Sequence, residues 1–207
     1  SLQQEGTNAY RLINGETDLL PGCIVDKYAD DVVVQFHTRG IERWKKGIVA
    51  GLEKVLKPAG IYERSDVSVR KIEMLEERSC LISGNIPDLI TIEENGFKFL
   101  VDIQHGQKTG FFLDQRDKRQ AFMKYTKDRA VLNCFSYTGG FSVYALAGGA
   151  RSIVNVDTSA SALELAQENI KLNGLDTGRC AFVCDDAKKY LKNTTVTFDA
   201  IVLDPPA

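Results

Sequence analysis

The sequence predicts an α/β chain: a doubly wound parallel sheet over residues 102–207, preceded by a small α+β module over residues 7–101. Two observations point to the sheet. From Val131 onward short apolar runs alternate with helical stretches, which implies right-handed crossovers between parallel strands. Within that region VLNCFSYTGGF reads as a buried strand, a small polar turn carrying Gly139 and Gly140, and then an apolar helix. A strand running through such a turn into a helix lets a ligand approach the backbone, with free N–H groups at the helix start attracting anionic groups. The third observation concerns the front of the chain. It has another texture, with short strands, tight turns and one long amphipathic helix, and the change comes after Asp102.

Taken in order, residues 1–6 read as a tail. Ala9–Ile13, Cys23–Asp26 and Val32–Phe36 read as strands, the last two joined by the Ala29-Asp30-Asp31 turn. Ile41–Leu56 is the clearest helix of this half, with Ile41, Trp44, Ile48, Leu52, Val55 and Leu56 expected on its buried face. Lys57-Pro58-Ala59-Gly60 ends it, and Ile61–Arg64 follows as a strand. Residues 73–88 carry no periodicity that assigns them. Ile90–Glu93 and Phe97–Val101 form a hairpin, because Asn95-Gly96 suits a type I′ turn.

Beyond Asp102, residues 103–110 read as a polar loop and Leu113–Tyr125 as a helix. The expected parallel strands are Val131–Phe135, Ser152–Asp157, Cys180–Cys184 and Phe198–Asp204. Phe141–Ala147, Ala160–Leu172 and Ala187–Leu191 are the helices between them. If the sheet ends at Phe198–Asp204, that strand has an unpaired edge, to be exposed, covered or paired with a neighbouring chain; oligomeric state is otherwise open.

Hydrophobic content of 43% and charged content of 26% describe a globular protein able to bury a core. No apolar run is long enough to span a bilayer and the N-terminus is not signal-like, so a cytoplasmic protein without a membrane partner is expected. The five cysteines show no CxxC pair and no ligand-like grouping with His37 or His105. They read as reduced thiols, no metal is expected, and Cys134 inside its strand reads as a small core residue. A net charge of −2 gives no global basic signature. From Arg116 to Arg129, however, six residues are basic and two acidic. Lys108, Lys118, Arg119, Lys124, Lys127 and Arg129 are therefore either a solvated face or a phosphate-binding surface for RNA.

Ligands of an open parallel sheet sit beyond the carboxyl ends of its strands. The first expected strand runs out into Ser136-Tyr137-Thr138-Gly139-Gly140. The second ends in Asp157, suited to a ribose diol, the third in Asp185-Asp186-Ala187, and the fourth in Asp204-Pro205-Pro206. Asp157 and Asp185 are equally suited to capping the helices that follow them. Order and spacing together fit a nucleoside ligand with a carboxylate-bearing arm.

VLNCFSYTGGFSVYA, NVDTSASALELAQENIKLNG, CDDAKKYL and FDAIVLDPPA resemble the successive motifs of class I S-adenosylmethionine-dependent methyltransferases. With DIQHGQKTGFFLDQRDKR and TNAYRLINGETDLLPGCIVDKYADDVVVQ, the chain is more closely similar to the bacterial family that methylates C5 of a cytosine in 23S ribosomal RNA. The resemblance implies a Rossmann-like methyltransferase domain over 102–207, preceded by that family's central substrate- or RNA-recognition domain over 7–101. It implies S-adenosylmethionine as cofactor. Phe135, Ser136, Tyr137, Thr138, Gly139 and Gly140 would hold the methionine arm, and Asp157, with Thr158 and Ser159, the ribose. Asp185, Asp186 and Ala187 would meet the adenine, and Phe112, Gln115 and Arg116 would close the pocket. Asp204 would face the target base as the catalytic carboxylate.

The chain departs from the pattern in three ways: the turn lacks G-x-G-x-G, the family's N-terminal PUA domain is absent, and the sequence stops just after Asp-Pro-Pro. The parallel sheet is thus expected to be truncated at its C-terminus, with the family's nucleophilic cysteine beyond Ala207. Other readings are a methyltransferase acting on another RNA base or on a protein, a nicotinamide-dependent oxidoreductase, and a non-catalytic RNA-binding module.

Overall fold

The computed structural model describes residues 6–205. Most of the expected tail, residues 1–5, and Pro206 of the Asp-Pro-Pro motif lie outside the described residues. The chain divides into two compact units. One runs to Gly96 and takes in Val101–Leu113; the other takes in Phe97–Leu100 and continues from Asp114.

The first unit is built on a five-stranded sheet in the order β1-β2-β3-β4-β5. Its strands are β1 (Ala9–Asn14), β2 (Cys23–Tyr28), β3 (Asp31–Phe36), β4 (Gly60–Ser65) and β5 (Arg78–Gly84). Between β3 and β4 runs α1 (Arg39–Leu56), the crossover that lets those two strands pair in parallel. Thr38 caps α1 by accepting from Ile41 N at 3.4 Å. One face of the sheet packs Cys23, Val25, Val32, Val34, Phe36 and Ile61 against Ile41, Ile48, Leu52 and Leu56 of α1.

Trp44 and Val55, expected on the buried face, are instead 70% and 78% exposed. They sit at one margin of the apolar arc. The sheet meets an arc running through Ile41, Ile48, Val49 and Leu52, and Lys45, also on that side, pairs with the fully buried Glu63. Residues 73–88, which periodicity left unassigned, contain β5. It is an edge strand with mostly exposed side chains, so the alternation that betrays a half-buried strand is missing. A short helix, α2 (Val69–Ile72), precedes it. There Arg70, 1% exposed, donates to Phe36 O, to Glu76 O at 2.7 Å and to Glu42 Oε2 at 2.9 Å.

β3 is buried along its whole length because the second face is covered too. The loop after residue 101 lies there. Arg64 Nη1 donates to Ile103 O at 2.7 Å, Thr109 Oγ1 to Asp26 Oδ2 at 2.7 Å, and the Tyr28 hydroxyl lies 2.8 Å from Thr109 Oγ1. A separate two-stranded sheet consists of β6 (Ile90–Glu94) and β7 (Phe97–Val101), joined through Asn95 and Gly96 at φ values of +51° and +82°. Two consecutive left-handed residues make the tight hairpin turn that this pair predicts.

The second unit opens, after a 3-10 turn at Leu113–Gln115, with α3 (Arg116–Met123). Then come β8 (Ala130–Cys134), α4 (Gly140–Ala147), β9 (Ser152–Asp157), α5 (Ala160–Leu172), β10 (Cys180–Cys184), α6 (Ala187–Asn193) and β11 (Ala200–Leu203). The four strands are parallel and ordered β10-β9-β8-β11. Chain direction across the sheet therefore reverses beside β8, the position where doubly wound sheets open a crevice. Leu132, Cys134, Val156 and Ala187 form an apolar cluster joined by Phe135, Val154, Val183, Tyr190 and Phe198. Beneath the turn after β8 the interior is polar. Asn133 Nδ2 donates to Ser142 Oγ at 2.9 Å, Ser142 Oγ donates to Asn155 Oδ1, and all three residues are buried. Among the described residues no helix is long and apolar enough to cross a membrane.

Candidate active site at the carboxyl edge of the parallel sheet

Strand register brings the candidate residues to one rim. Cys134 aligns with Val156 and with Leu203, and Asp157 aligns with Cys184. The residues following these positions, Phe135–Gly140, Thr158–Ser159, Asp185–Ala187 and Asp204, consequently leave the sheet at a common level.

The turn after β8 is more contorted than two glycines suggest. Phe135, Tyr137 and Gly139 have φ of +56°, +46° and +76°. Strand β8 ends at Cys134, one residue earlier than expected, because Phe135 already occupies the left-handed region. Within that turn Ser136 N donates to Val156 O at 3.1 Å and Gly139 N to Ser136 O at 2.9 Å. Non-glycine residues in the left-handed region are costly and concentrate at functional sites. Asp157 braces the turn: Oδ2 accepts from Tyr137 N at 2.8 Å and Oδ1 from Ser159 N at 3.0 Å. Each carboxylate oxygen keeps a further lone pair for a ligand donor.

The two glycines have different local reasons. A Cβ on Gly139 would come within 2.8 Å of Ala166 Cβ on α5, so only glycine satisfies both its φ and its packing. A Cβ on Gly140 would come within 3.1 Å of Arg119 Cδ. That contact corrects the expectation for Arg119, which is 2% exposed and packs under the turn. It cannot serve as part of a phosphate-binding face. Lys118, Lys124, Lys127 and Arg129 are exposed, as is Lys108 in the first unit. Phe112 also belongs to the first unit, where Lys108 Nζ lies 4.4 Å above its ring.

Capping explains one acid at the third strand end and not the other. Asp186 is the N-cap of α6, accepting from Lys189 N at 2.8 Å. Asp185 N donates to Asp157 O at 3.1 Å, which ties the ends of β9 and β10 together. Its carboxylate accepts from Lys189 Nζ at 3.1 Å and from Asp186 N at 2.9 Å, and these bonds hold its pKa below the usual carboxylate range. The cap of α5 is Ser159, accepting from Ala162 N at 3.2 Å, which leaves Asp157 to the turn. Thr158 is exposed, and its carbonyl accepts from Cys184 Sγ. Phe135 packs on the apolar cluster below the turn.

On the other flank Gln115 Nε2 donates to Asp204 Oδ2 at 3.1 Å, while Arg116 pairs with Asp117 at 3.0 Å. Two buried polar atoms of this rim have no hydrogen-bond partner among the described residues: Gln115 Oε1 and Ser136 Oγ, in residues 7% and 5% exposed. Leaving such an atom unsatisfied costs about 1–3 kcal/mol. The Gln115 amide oxygen can accept from an ammonium and the Ser136 hydroxyl can donate to a carboxylate, and Asp157 fits a diol. The residues present thus suit an amino-acid-bearing nucleoside such as S-adenosylmethionine.

A family model described as S-adenosylmethionine-dependent methyltransferase matches residues 65–207. The chain belongs to this family. Membership removes the nicotinamide-dependent reading, which shared only the acidic residue after the second strand. A curated relative, ribosomal RNA large subunit methyltransferase I of Aeromonas salmonicida, is 50% identical over 209 residues, covering 99% of this chain and 53% of the relative. The chain spans about half the length of the curated relatives it matches. A solved SAM-dependent methyltransferase from Streptococcus mutans superposes with a TM-score of 0.85 at 32% identity, covering 98% of this chain and 53% of that one. A methyltransferase structure complexed with SAH gives the same TM-score and identity over 98% of this chain and 52% of that one.

One residue at this family's rim escaped sequence reasoning. Asn169 of α5 donates from Nδ2 to Thr138 O at 2.9 Å. An asparagine in a helix carries no sequence signal for a bond to a turn far away in the chain.

Proposed function

We propose that this chain is the cofactor-binding part of an RNA methyltransferase that modifies C5 of a cytosine in the large-subunit, 23S, ribosomal RNA. Family membership and the names of the curated relatives support the reaction class and the RNA. The observation that carries the site is the pair of open buried valences, Ser136 Oγ and Gln115 Oε1, on the rim that also bears Asp157, Asp185 and Asp204.

In this reading Phe135–Gly140 hold the methionine arm, with Ser136 Oγ as a polar contact. Asp157, with Thr158 and Ser159, takes the ribose hydroxyls, while Asp185, Asp186 and Ala187 border the adenine. Gln115 and Arg116 complete the enclosure, the guanidinium suiting a carboxylate. When bound, the cofactor supplies an electrophilic methyl group. Asp204, oriented by Gln115, meets the base at N3 and assists addition of a thiolate at C6, which raises electron density at C5. Cys134 does not supply that thiolate: it is buried in β8 and burial pushes its pKa up. RNA lies along Lys118, Lys124, Lys127 and Arg129 of the second unit, residues 7–101 serve as the recognition module, and the target base leaves its stack to reach Asp204. With ribosomal RNA as substrate, the enzyme works in the cytoplasm.

Titration calorimetry with S-adenosylhomocysteine tests the site. Saturable binding is expected, weakened at least tenfold by Asp157→Ala; no heat at millimolar ligand would refute it. Mass analysis of ribosomal RNA from a strain lacking the gene tests the target, with loss of one 5-methylcytosine expected.

A further inference from the structure

Helix α5 does more than cover the sheet. Asn169 is fully buried, and both ends of its amide are engaged. Nδ2 donates to Thr138 O at 2.9 Å, and Oδ1 accepts from Leu100 N of β7 at 2.7 Å. One helical turn later, Asn173 Oδ1 accepts from Lys98 N at 2.8 Å, and Asn173 Nδ2 donates to Lys98 O at 2.7 Å. Four residues of α-helix rise about 6 Å, and two residues of a strand advance about 6.7 Å. Two asparagines one turn apart therefore match alternate residues along one side of β7 and substitute for a neighbouring strand. Asn173 spends its amide on β7 and on the helix carbonyl of Asn169. Asn169 alone also reaches the turn after β8. Thr138, whose carbonyl it holds, lies between Tyr137 at φ +46° and Gly139 at φ +76°. A turn with left-handed residues on both sides of that carbonyl depends on an outside bond to keep its geometry. Ala166, three residues before Asn169 on the same helix face, is the atom group against which Gly139 packs.

We propose that Asn169 is a positioning residue of the methyltransferase: through Thr138 O it fixes the backbone path of the cofactor turn, and through Leu100 N it links that turn to strand β7. The proposal rests on the reading of residues 135–140 as the turn that holds the methionine arm. Asn173, with the same side chain and a comparable number of bonds, is an anchor of β7 without a part in the cofactor site.

The test compares Asn169→Ala and Asn173→Ala in the 207-residue chain by calorimetry with S-adenosylhomocysteine and by thermal melting. Both variants should melt below the unaltered chain. Asn169→Ala should bind at least tenfold more weakly, whereas Asn173→Ala should stay within twofold of the unaltered chain. Equal weakening in both variants, or binding within twofold by Asn169→Ala, overturns the proposal. Absence of binding by the unaltered chain would instead refute the cofactor reading itself, before any variant is compared. Should Asn169→Ala fail to fold, amide hydrogen exchange on the unaltered chain decides. Saturating S-adenosylhomocysteine should slow exchange of the Leu100 amide at least threefold, and an unchanged rate overturns the link.

Discussion

Replacing Gly139 by alanine meets two separate obstacles. At φ +76° an added Cβ sits in the left-handed region, which costs an L-residue about 1–2 kcal/mol. That Cβ would also lie 2.8 Å from Ala166 Cβ and 3.2 Å from Ala166 Cα. A backbone atom on a packed helix cannot swing aside, so overpacking adds about 1–3 kcal/mol. The expected loss is about 2–5 kcal/mol. Two other glycines separate the contributions. Gly174 has φ +66° with nothing within 4 Å of an added Cβ, so Gly174→Ala should cost about 1–2 kcal/mol from backbone strain alone. Gly140 lacks a positive φ, and its nearest neighbour is the side chain of Arg119. Gly140→Ala should thus stay within about 1 kcal/mol of the parent, with helix propensity offsetting the crowding. Urea unfolding followed by circular dichroism, extrapolated linearly to water, measures all three. If Gly139→Ala proves no more destabilising than Gly174→Ala, contact with Ala166 contributes nothing to the cost.

Acid should weaken the first unit through His37. Burial and the nearby Arg70 cation hold its imidazole below the usual 6.5, and Nε2 has no hydrogen-bond partner among the described residues. The unfolded chain takes up a proton below about pH 6.5 that the folded chain resists, so stability should fall as pH drops through that value toward the lower folded pKa. Urea titrations between pH 5 and 8 should show a shallower fall in His37→Gln. On the basic stretch of the second unit, Lys118→Gln with Lys124→Gln should reduce the salt dependence of RNA binding by about 1–2 in log–log slope. Arg119→Gln should lower the melting temperature instead, because its side chain is packed under the turn.

The parallel sheet was legible because each of its strands is a short apolar run closed by a polar or glycine signal; β9, β10 and α5 have the residues expected of them. Site residues that follow strand ends were legible for the same reason, since chain position alone places them at the carboxyl edge. Three things resisted. β5 is an edge strand whose side chains are mostly exposed, so no alternation marks it. The positive φ of Phe135 and Tyr137 is imposed by the turn's bonds to Asp157 and Asn169, and neither residue type advertises it. Arg119 looked like one more cation in a basic run, and nothing in its sequence context marks it as the one packed beside Gly140.

The amide-and-hydroxyl layer formed by Asn133, Ser142 and Asn155 constrains how this protein can drift. In an oily interior, a residue can be exchanged for another of similar bulk and the neighbours absorb the change. Here a lone exchange strands a donor or an acceptor away from water, on Ser142 when either asparagine is lost and on both asparagines when Ser142 is lost. These three positions are therefore free to change only as a set, and their substitutions should not add. The platform under the turn is held by its wiring rather than by its volume.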